Sequence, residues 1–168
     1  IKRTALFGGK AAAGYESAKN IIRLINCISR KVNHDPVVSK TLKVVYIENY
    51  NVSHAEVIIP AADLSEQIST AGTEASGTGN MKLAMNGALT IGTDDGANIE
   101  MRQEVGDEWW PFKFGASATE IKQMTANNQY NPKSIIDSNP KIARAVEALL
   151  NGIFAKTEDE HQALLDLY

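Results

Sequence analysis

Apolar runs alternate with longer amphipathic stretches along most of the chain. Residues 4–7 and 42–47 are largely apolar runs of the kind found in strands that are covered on both faces. Residues 15–32 carry apolar side chains at helical spacing, which predicts a long helix between those strands. The side chains that form this face are Ala18, Ile21, Ile22, Ile25 and Ile28.

The middle of the chain has shorter segments. The pattern predicts strands at residues 56–60, 88–92 and 109–114, although Pro111 restricts the last segment to a sheet edge or to no strand at all. It predicts short helices at residues 63–68, 80–86 and 97–105, with Asp94-Asp95-Gly96 as a turn before the last one.

The pattern from about Ser117 onward is helical. Pro140 stands where the first residue of a helix belongs, and an apolar stripe follows it, formed by Ile142, Val146, Leu149, Leu150 and Ile153. Alternating helices and apolar strands predict an α/β fold with a mostly parallel, Rossmann-like sheet flanked by helices. We expect one domain, residues 1–168, with a core at residues 1–116 and a helical extension at residues 117–168.

The segment from Gly72 to Lys82 is the best candidate for ligand chemistry. It is rich in small and hydroxyl residues and runs into the predicted helix at residues 80–86. Backbone N–H groups at the start of a helix attract anions, and Ser76 or Thr78 is placed to cap the helix and to donate to a phosphate oxygen. Parallel sheets bind ligands at loops such as this one. The segment therefore predicts an anion-binding loop.

Lys82 falls in the first turn of that helix, where a cation is disfavoured. Its apolar neighbours Met81, Leu83 and Met85 predict partial burial, and both effects favour a neutral, nucleophilic amine. Such an amine beside a phosphate-binding loop suits a covalent bond to the aldehyde of pyridoxal phosphate. The alternative is a capped turn followed by a lysine whose ammonium group reaches water.

Composition limits the partners. The 168 residues include 17 basic and 20 acidic side chains, and no basic patch stands out, which argues against nucleic acid and membranes as partners. The single Cys27 lies among apolar residues and predicts a buried structural thiol. The three histidines are scattered, so no metal site is predicted. The sequence has no span-length apolar run and no signal peptide, so we expect a cytoplasmic protein.

Other motifs carry less weight. Gly9-Lys-Ala-Ala-Ala-Gly14 begins like a Walker loop, but Tyr15-Glu16 stands where Lys-Ser or Lys-Thr is needed. Asp94-Asp95-Gly96 lacks the remaining ligands of a calcium loop. Trp109-Trp110 is predicted to serve packing, and stacking on a glucan is the alternative.

A family resemblance adds to this interpretation. Glu74-Ala-Ser-Gly-Thr-Gly-Asn-Met-Lys82, with Asn86-Gly-Ala-Leu-Thr-Ile-Gly-Thr93 and Asp95-Gly-Ala-Asn98, resembles the pyridoxal-phosphate signature of the α-glucan phosphorylases. These are the glycogen, starch and maltodextrin phosphorylases. Similar blocks precede it in family order, namely Phe7-Gly-Gly-Lys-Ala-Ala12, Val32-Asn-His-Asp-Pro-Val-Val38, Glu48-Asn-Tyr50 and the run from Ile59 to Thr73. The similarity is dense from about Ala5 to Asn98 and scattered afterwards.

The resemblance implies specific roles. Lys82 matches the lysine that carries pyridoxal phosphate. Thr78 and Gly79 match residues that hold the cofactor phosphate, and Tyr50 matches a residue packed near the cofactor. The segment that binds sugar hydroxyls at the cleavage site corresponds to Glu74, Ser76 and Gly77. The implied reaction is the transfer of a glucosyl unit from α-1,4-glucan to inorganic phosphate, which gives glucose 1-phosphate with retained configuration.

The resemblance also implies a fragment. Family members are several times longer, with two lobes of the glycosyltransferase type, and this chain would belong to the C-terminal lobe. Its start without methionine and its end within a helical pattern are consistent with cut ends. Basic residues for the phosphates and most glucan contacts would come from the remainder of the phosphorylase chain. We therefore expect the isolated chain to be inactive, to bind the cofactor weakly, and to belong to an intact homodimer of an allosteric enzyme family.

Three positions depart from the family pattern: Asp94 replaces a commonly apolar residue, and Val57 and Asn51 replace commonly basic ones. Two alternatives to the enzyme remain. One is a non-catalytic α/β module whose glycine loop binds a phosphate ligand or a partner. The other is a nicotinamide-binding domain, which lacks the expected Gly-x-Gly-x-x-Gly after a first strand.

Overall fold

The computed structural model describes residues 1–168. It contains four strands: β1 (Arg3–Gly8), β2 (Leu42–Ile47), β3 (Leu64–Gln67) and β4 (Leu89–Gly92). Its eight α-helices are α1 (Glu16–His34), α2 (Val52–Ile58), α3 (Gly79–Met85), α4 (Ala97–Val105), α5 (Ala118–Ala126), α6 (Pro132–Ser138), α7 (Pro140–Leu150) and α8 (Glu158–Leu165). The parallel strand pairs and the helices confirm the predicted α/β class.

The chain folds into two compact units. The first unit combines Ile1–Tyr50 with Pro132–Tyr168, and the second consists of Asn51–Asn131. Each unit has its own two-stranded parallel sheet, β1–β2 in the first and β3–β4 in the second. The domain boundaries expected from sequence stay a prediction. None of the helices combines the length and the apolar character that a membrane span requires.

In the first unit, α1 connects β1 to β2 and packs on β2. Asn33 ties the helix to the strand, since its side chain donates to Val44 O at 2.8 Å and accepts from Val44 N at 3.0 Å. The predicted helix is confirmed and extends to His34. The predicted covering of β1 is wrong: Leu6 is 45% exposed and Phe7 38% exposed, because β1 pairs with a single strand and α1 packs on the other one.

The helical tail of the first unit is confirmed. Asn139 caps α7 through hydrogen bonds from the backbone N–H groups at positions 141 and 142, and Pro140 occupies the first turn as predicted. Helix α8 packs against α1, where Leu164 and Cys27 are both fully buried. Burial raises the pKa of the Cys27 thiol, which fits the predicted structural role.

In the second unit, one predicted strand is a helix and one predicted helix is a strand. The strand predicted at residues 56–60 is wrong, because Val52–Ile58 forms α2 and Ile59–Ala61 continues as a 3-10 helix. The Asn51 side chain caps α2 by accepting from His54 N at 3.3 Å, and the half-buried residues Ala55, Ile58 and Ile59 share one helical face. Asn51, which departs from the family pattern, is therefore a helix cap here, and Val57 is an exposed residue of the same helix.

The helix predicted at residues 63–68 is wrong as well. Leu64–Gln67 is β3, in parallel register with β4 from Leu64↔Leu89 to Gln67↔Gly92. Its buried side is polar, because Ser65 is buried and accepts from Gln67 Nε2 at 3.0 Å. The edge strand predicted at residues 109–114 is reduced to one bridge between Gly92 and Lys113, after a 3-10 helix at Asp107–Trp109.

Candidate functional site

Lys82 lies on α3, within a residue of the predicted helix bounds. The predicted partial burial of Lys82 is wrong, because the lysine is exposed. Of the neighbours expected to cover it, Leu83 is half-buried, whereas Met81 is 37% and Met85 87% exposed. Helix α3 has only seven residues, so its dipole is small. The structure thus offers an accessible amine on a short helix.

The loop before α3 presents unused backbone donors. Gly77 has a φ of 80°, a left-handed conformation that glycine adopts without strain. Thr78 is at the N-cap position, as predicted, but its side chain makes no capping hydrogen bond. The backbone N–H groups of Gly77, Thr78 and Gly79 donate to no protein acceptor. Three donors and a threonine hydroxyl therefore remain available to an anionic ligand.

Asp95 holds the beginning of this loop. Its carboxylate is 4% exposed and accepts from Ser69 Oγ at 2.7 Å, Gly72 N at 2.8 Å and Glu74 N at 2.9 Å. Burial alone raises the pKa of Asp95, but these hydrogen bonds, together with one from the Gly96 backbone, outweigh it and lower the pKa. The buried group is therefore a carboxylate, and its charge is satisfied by the loop.

Gly96 and Ala97 hold the centre of the loop. Ala97 N donates to Ser76 O at 2.7 Å, and Gly96 lies so near that a Cβ on it would be 2.5 Å from Ser76 O. This approach and a φ of 51° both require glycine. The turn at residues 94–96 thus shapes the loop as well as ending β4.

A buried amide pair fixes the start of α3. Asn80 Nδ2 donates to Asn98 Oδ1 at 2.9 Å, and Asn98 Nδ2 donates to Thr93 O at 3.0 Å. Both asparagines are buried, and Asn80 Oδ1 also accepts from Met81 N at 2.9 Å. The helix that carries Lys82 is therefore joined to the first turn of α4 by hydrogen bonds as well as by packing.

Asp94, another departure from the family pattern, has a local charge partner. Arg102 donates from Nε and Nη2 to the two carboxylate oxygens of Asp94, both at 3.1 Å, in a bidentate pair. Arg102 also donates to Asp107, and Lys113 Nζ lies 3.9 Å from Asp94. The acidic residue is thus accommodated by cations of the same unit.

The predicted site residues fall in both units. Glu74, Ser76, Gly77, Thr78, Gly79 and Lys82 belong to one loop and helix of the second unit. Tyr50 belongs to the first unit, where its ring lies against Gly8, and its place near the cofactor stays a prediction. Sequence reasoning missed the supporting residues Asp95, Asn80 and Asn98. The signal was present in Asp95-Gly-Ala-Asn98, a polar block that proves to be buried.

Comparison with known proteins identifies the class to which this α/β chain and its loop–lysine segment correspond. The sequence profile of the carbohydrate phosphorylases matches residues 1–168, so the chain belongs to that family. The muscle forms of glycogen phosphorylase from Ovis aries and Homo sapiens, and the brain form from Homo sapiens, are each 52% identical to it over 160 residues. The matched segment is 95% of this chain and 19% of each relative. The resemblance found in the sequence is confirmed.

Proposed function

We propose that this chain is part of a glycogen or α-glucan phosphorylase, which transfers glucosyl units from α-1,4-glucan to inorganic phosphate with pyridoxal phosphate bound to Lys82. Family membership and the identity to glycogen phosphorylases support the reaction class. The observation that carries the site is the exposed Lys82 on a helix that begins directly after three unused backbone donors.

The residues present fit such a cofactor. An aldehyde needs an accessible amine, and Lys82 is exposed. A phosphate group needs several donors, which the backbone of residues 77–79 and the Thr78 hydroxyl supply. Gly79 has open space where a side chain would point, since no atom lies within 4 Å of that position. The Asp95 carboxylate is buried, and it already accepts hydrogen bonds from the loop backbone.

In the proposed site, each residue has a defined task. Lys82 holds the cofactor, Thr78 and Gly79 bind its phosphate, and Tyr50 packs near it. The Glu74 carboxylate accepts hydrogen bonds from sugar hydroxyls, whereas Ser76 and the Gly77 N–H donate to them. When bound, pyridoxal phosphate supplies a phosphate group that donates and accepts a proton beside the inorganic phosphate, with a second pKa suited to neutral pH. The remaining phosphate and glucan contacts come from the rest of the enzyme, which we propose is a homodimer.

Selective labelling of Lys82 tests the site. Incubating the chain with pyridoxal phosphate, reducing it with borohydride and mapping the peptides by mass spectrometry is expected to place most of the adduct on Lys82. Lys122, an exposed lysine on α5, is the matched reference. We expect Lys82→Ala to remove most of the adduct and Lys122→Ala to leave it unchanged. Uniform labelling of all exposed lysines would contradict the proposal.

The isolated chain is expected to release no glucose 1-phosphate from glycogen and inorganic phosphate, because the family's other phosphate-binding residues lie outside it. A coupled assay of glucose 1-phosphate checks this. The alternative, a non-catalytic module, is favoured by one observation only: the loop donors can bind phosphate without any covalent step. It predicts binding of phosphate esters, with no reduced adduct on Lys82 even at saturating pyridoxal phosphate.

A further inference from the structure

A cavity lies in the first unit, between the end of α1 and the segment that connects α7 to α8. Its volume is about 520 Å³, within the range of cavities that bind small organic ligands. The residues that give it its character are Arg30, Lys31, His34, Ile153, Phe154 and Lys156. None of them has a role in the proposed glucan reaction.

The cavity is more positive than the chain as a whole. Three permanent cations line it, Arg30, Lys31 and Lys156, against the single carboxylate of Asp35. Even with Glu160 included, the cations outnumber the carboxylates three to two, whereas the whole chain has 17 basic and 20 acidic residues. Neither Lys31 nor Lys156 forms an ion pair. The Lys31 charge acts on the Asp35 carboxylate without a direct ion pair, so both lysine ammonium groups can still attract an anion.

Arg30 is held in place by hydrogen bonds that use only one of its three guanidinium nitrogens. Its Nη2 donates to Glu160 at 2.6 Å and to Cys27 Sγ at 3.4 Å. Nη1 has no protein acceptor, and Nε is buried without one. Glu160 also accepts from Lys156 N at 2.8 Å, so one carboxylate orients both the arginine and the opposite wall of the cavity. A fixed guanidinium with unused N–H groups is a prepared site for a phosphate oxygen.

The wall opposite α1 is partly apolar. Phe154 is half-buried and Ile153 is half-exposed in the connection between α7 and α8. His34 Nδ1 is engaged with Arg30 O at 2.8 Å, which leaves Nε2 as the remaining polar atom of the ring. The cavity thus combines anion-binding groups with an apolar wall that includes the Phe154 ring.

From this combination we propose that the cavity binds a small phosphate monoester that carries an aromatic or similarly flat apolar group. The phosphate contacts Arg30, Lys31 and Lys156, and the flat group packs on Phe154 and Ile153. This site is independent of Lys82 and of the glycine-rich loop. The inference does not rest on the proposed phosphorylase function.

Phenyl phosphate is the simplest probe. Titrating it into the ¹⁵N-labelled chain is expected to give saturable shifts of the amide signals of His34, Phe154 and Lys156. The double variant Lys31→Gln/Lys156→Gln is expected to weaken binding about tenfold, which is about 1.4 kcal/mol. The control Lys40→Gln/Lys141→Gln removes two exposed lysines of the same unit that lie outside the cavity, and it should leave the affinity unchanged.

Two further probes separate the phosphate from the aromatic group. Inorganic phosphate is expected to compete with phenyl phosphate at higher concentration, and phenol alone is expected not to shift the cavity signals. Equal weakening by the two double variants would overturn the proposal, because it would indicate nonspecific attraction. Shifts confined to residues 77–79 would overturn it too, because they would place the probe at the glycine-rich loop. If the double variant does not fold, Lys31→Gln alone replaces it, with Lys40→Gln as its control.

Discussion

Replacing Asp95 by alanine is expected to lower the free energy of unfolding of the second unit by about 3 kcal/mol. The substitution removes the buried carboxylate that accepts from the Ser69 hydroxyl and from the backbone N–H groups of Gly72 and Glu74. Unsatisfied buried donors each cost about 1–3 kcal/mol, and partial entry of water reduces their sum. The loss falls on the beginning of the loop that leads to Lys82.

The effect of Asp95→Ala is measured by urea unfolding together with amide hydrogen exchange. The amides of Gly72 and Glu74 are expected to lose protection first, because Asp95 is their acceptor. Asp63→Ala is the matched control, since Asp63 is an exposed aspartate of the same unit with no side-chain hydrogen bond to lose. Similar losses in both variants would show that Asp95 does not organise the loop.

The pH dependence of stability, measured for the native chain and for Asp95→Asn, independently tests the contribution of the Asp95 carboxylate. Because the pKa of Asp95 is lower in the folded chain than in the unfolded chain, its contribution to stability is present above the unfolded pKa, about 3.9. That contribution is lost as the pH falls through the folded pKa. The stability difference between the native chain and Asp95→Asn should therefore be constant near neutral pH and shrink below about pH 4. If the stability difference stays constant well below pH 4, ionised Asp95 does not stabilise the fold.

The spacing of apolar residues was sufficient to predict helices and strands whose apolar side chains are the ones buried. Helix α1 was predicted because its apolar residues recur at helical spacing on the side that packs on β2. Strand β2 was predicted with its observed bounds, because it is the strand that α1 covers. Strand β1 also contains an apolar run and, like β2, pairs with one strand, but α1 packs on β2 and leaves most side chains of β1 exposed. The apolar run alone does not show which strand a helix covers.

In two segments of the second unit, the hydrophobic pattern predicted the wrong secondary structure. Val57, Ile58 and Ile59 are apolar and β-branched, but the Asn51 cap starts a helix that runs through Ile58. Strand β3 was missed because its buried face carries Ser65 and Gln67, whose side chains bond to each other. A period-2 pattern is invisible when the inward residues are polar.

The loop, α3 and Lys82 were located from sequence, because glycine, hydroxyl residues and the start of a helix lie within a few positions of one another. The groups that support them were not, because each acts across a gap in the chain. Asp95 reaches back 23 residues to Gly72, and Asn80 bonds 18 residues ahead to Asn98. Polar side chains at such positions are expected on the surface from their type alone. Only the fold shows that they are buried and mutually satisfied.

Gly96→Ala is expected to destabilise the second unit by about 3 kcal/mol or more, for two separable reasons. An alanine Cβ would lie 2.5 Å from Ser76 O and 2.9 Å from Glu74 Cγ, so the loop would have to move. The φ of 51° is also unfavourable for any residue with a Cβ. Displacing Ser76 breaks its hydrogen bond from Ala97 N and shifts the segment that precedes Lys82.

Gly87→Ala separates the two reasons. Gly87 has a φ of 91°, but no atom lies within 4 Å of a Cβ at that position, so the substitution adds backbone strain without a clash. It is expected to cost about 1 kcal/mol, and urea unfolding of both variants gives the difference. A Gly96→Ala loss no larger than that of Gly87→Ala would mean that the loop yields freely. The larger loss means that Gly96 is needed for close contact with Ser76, and that the loop before Lys82 is held in shape by the turn after β4.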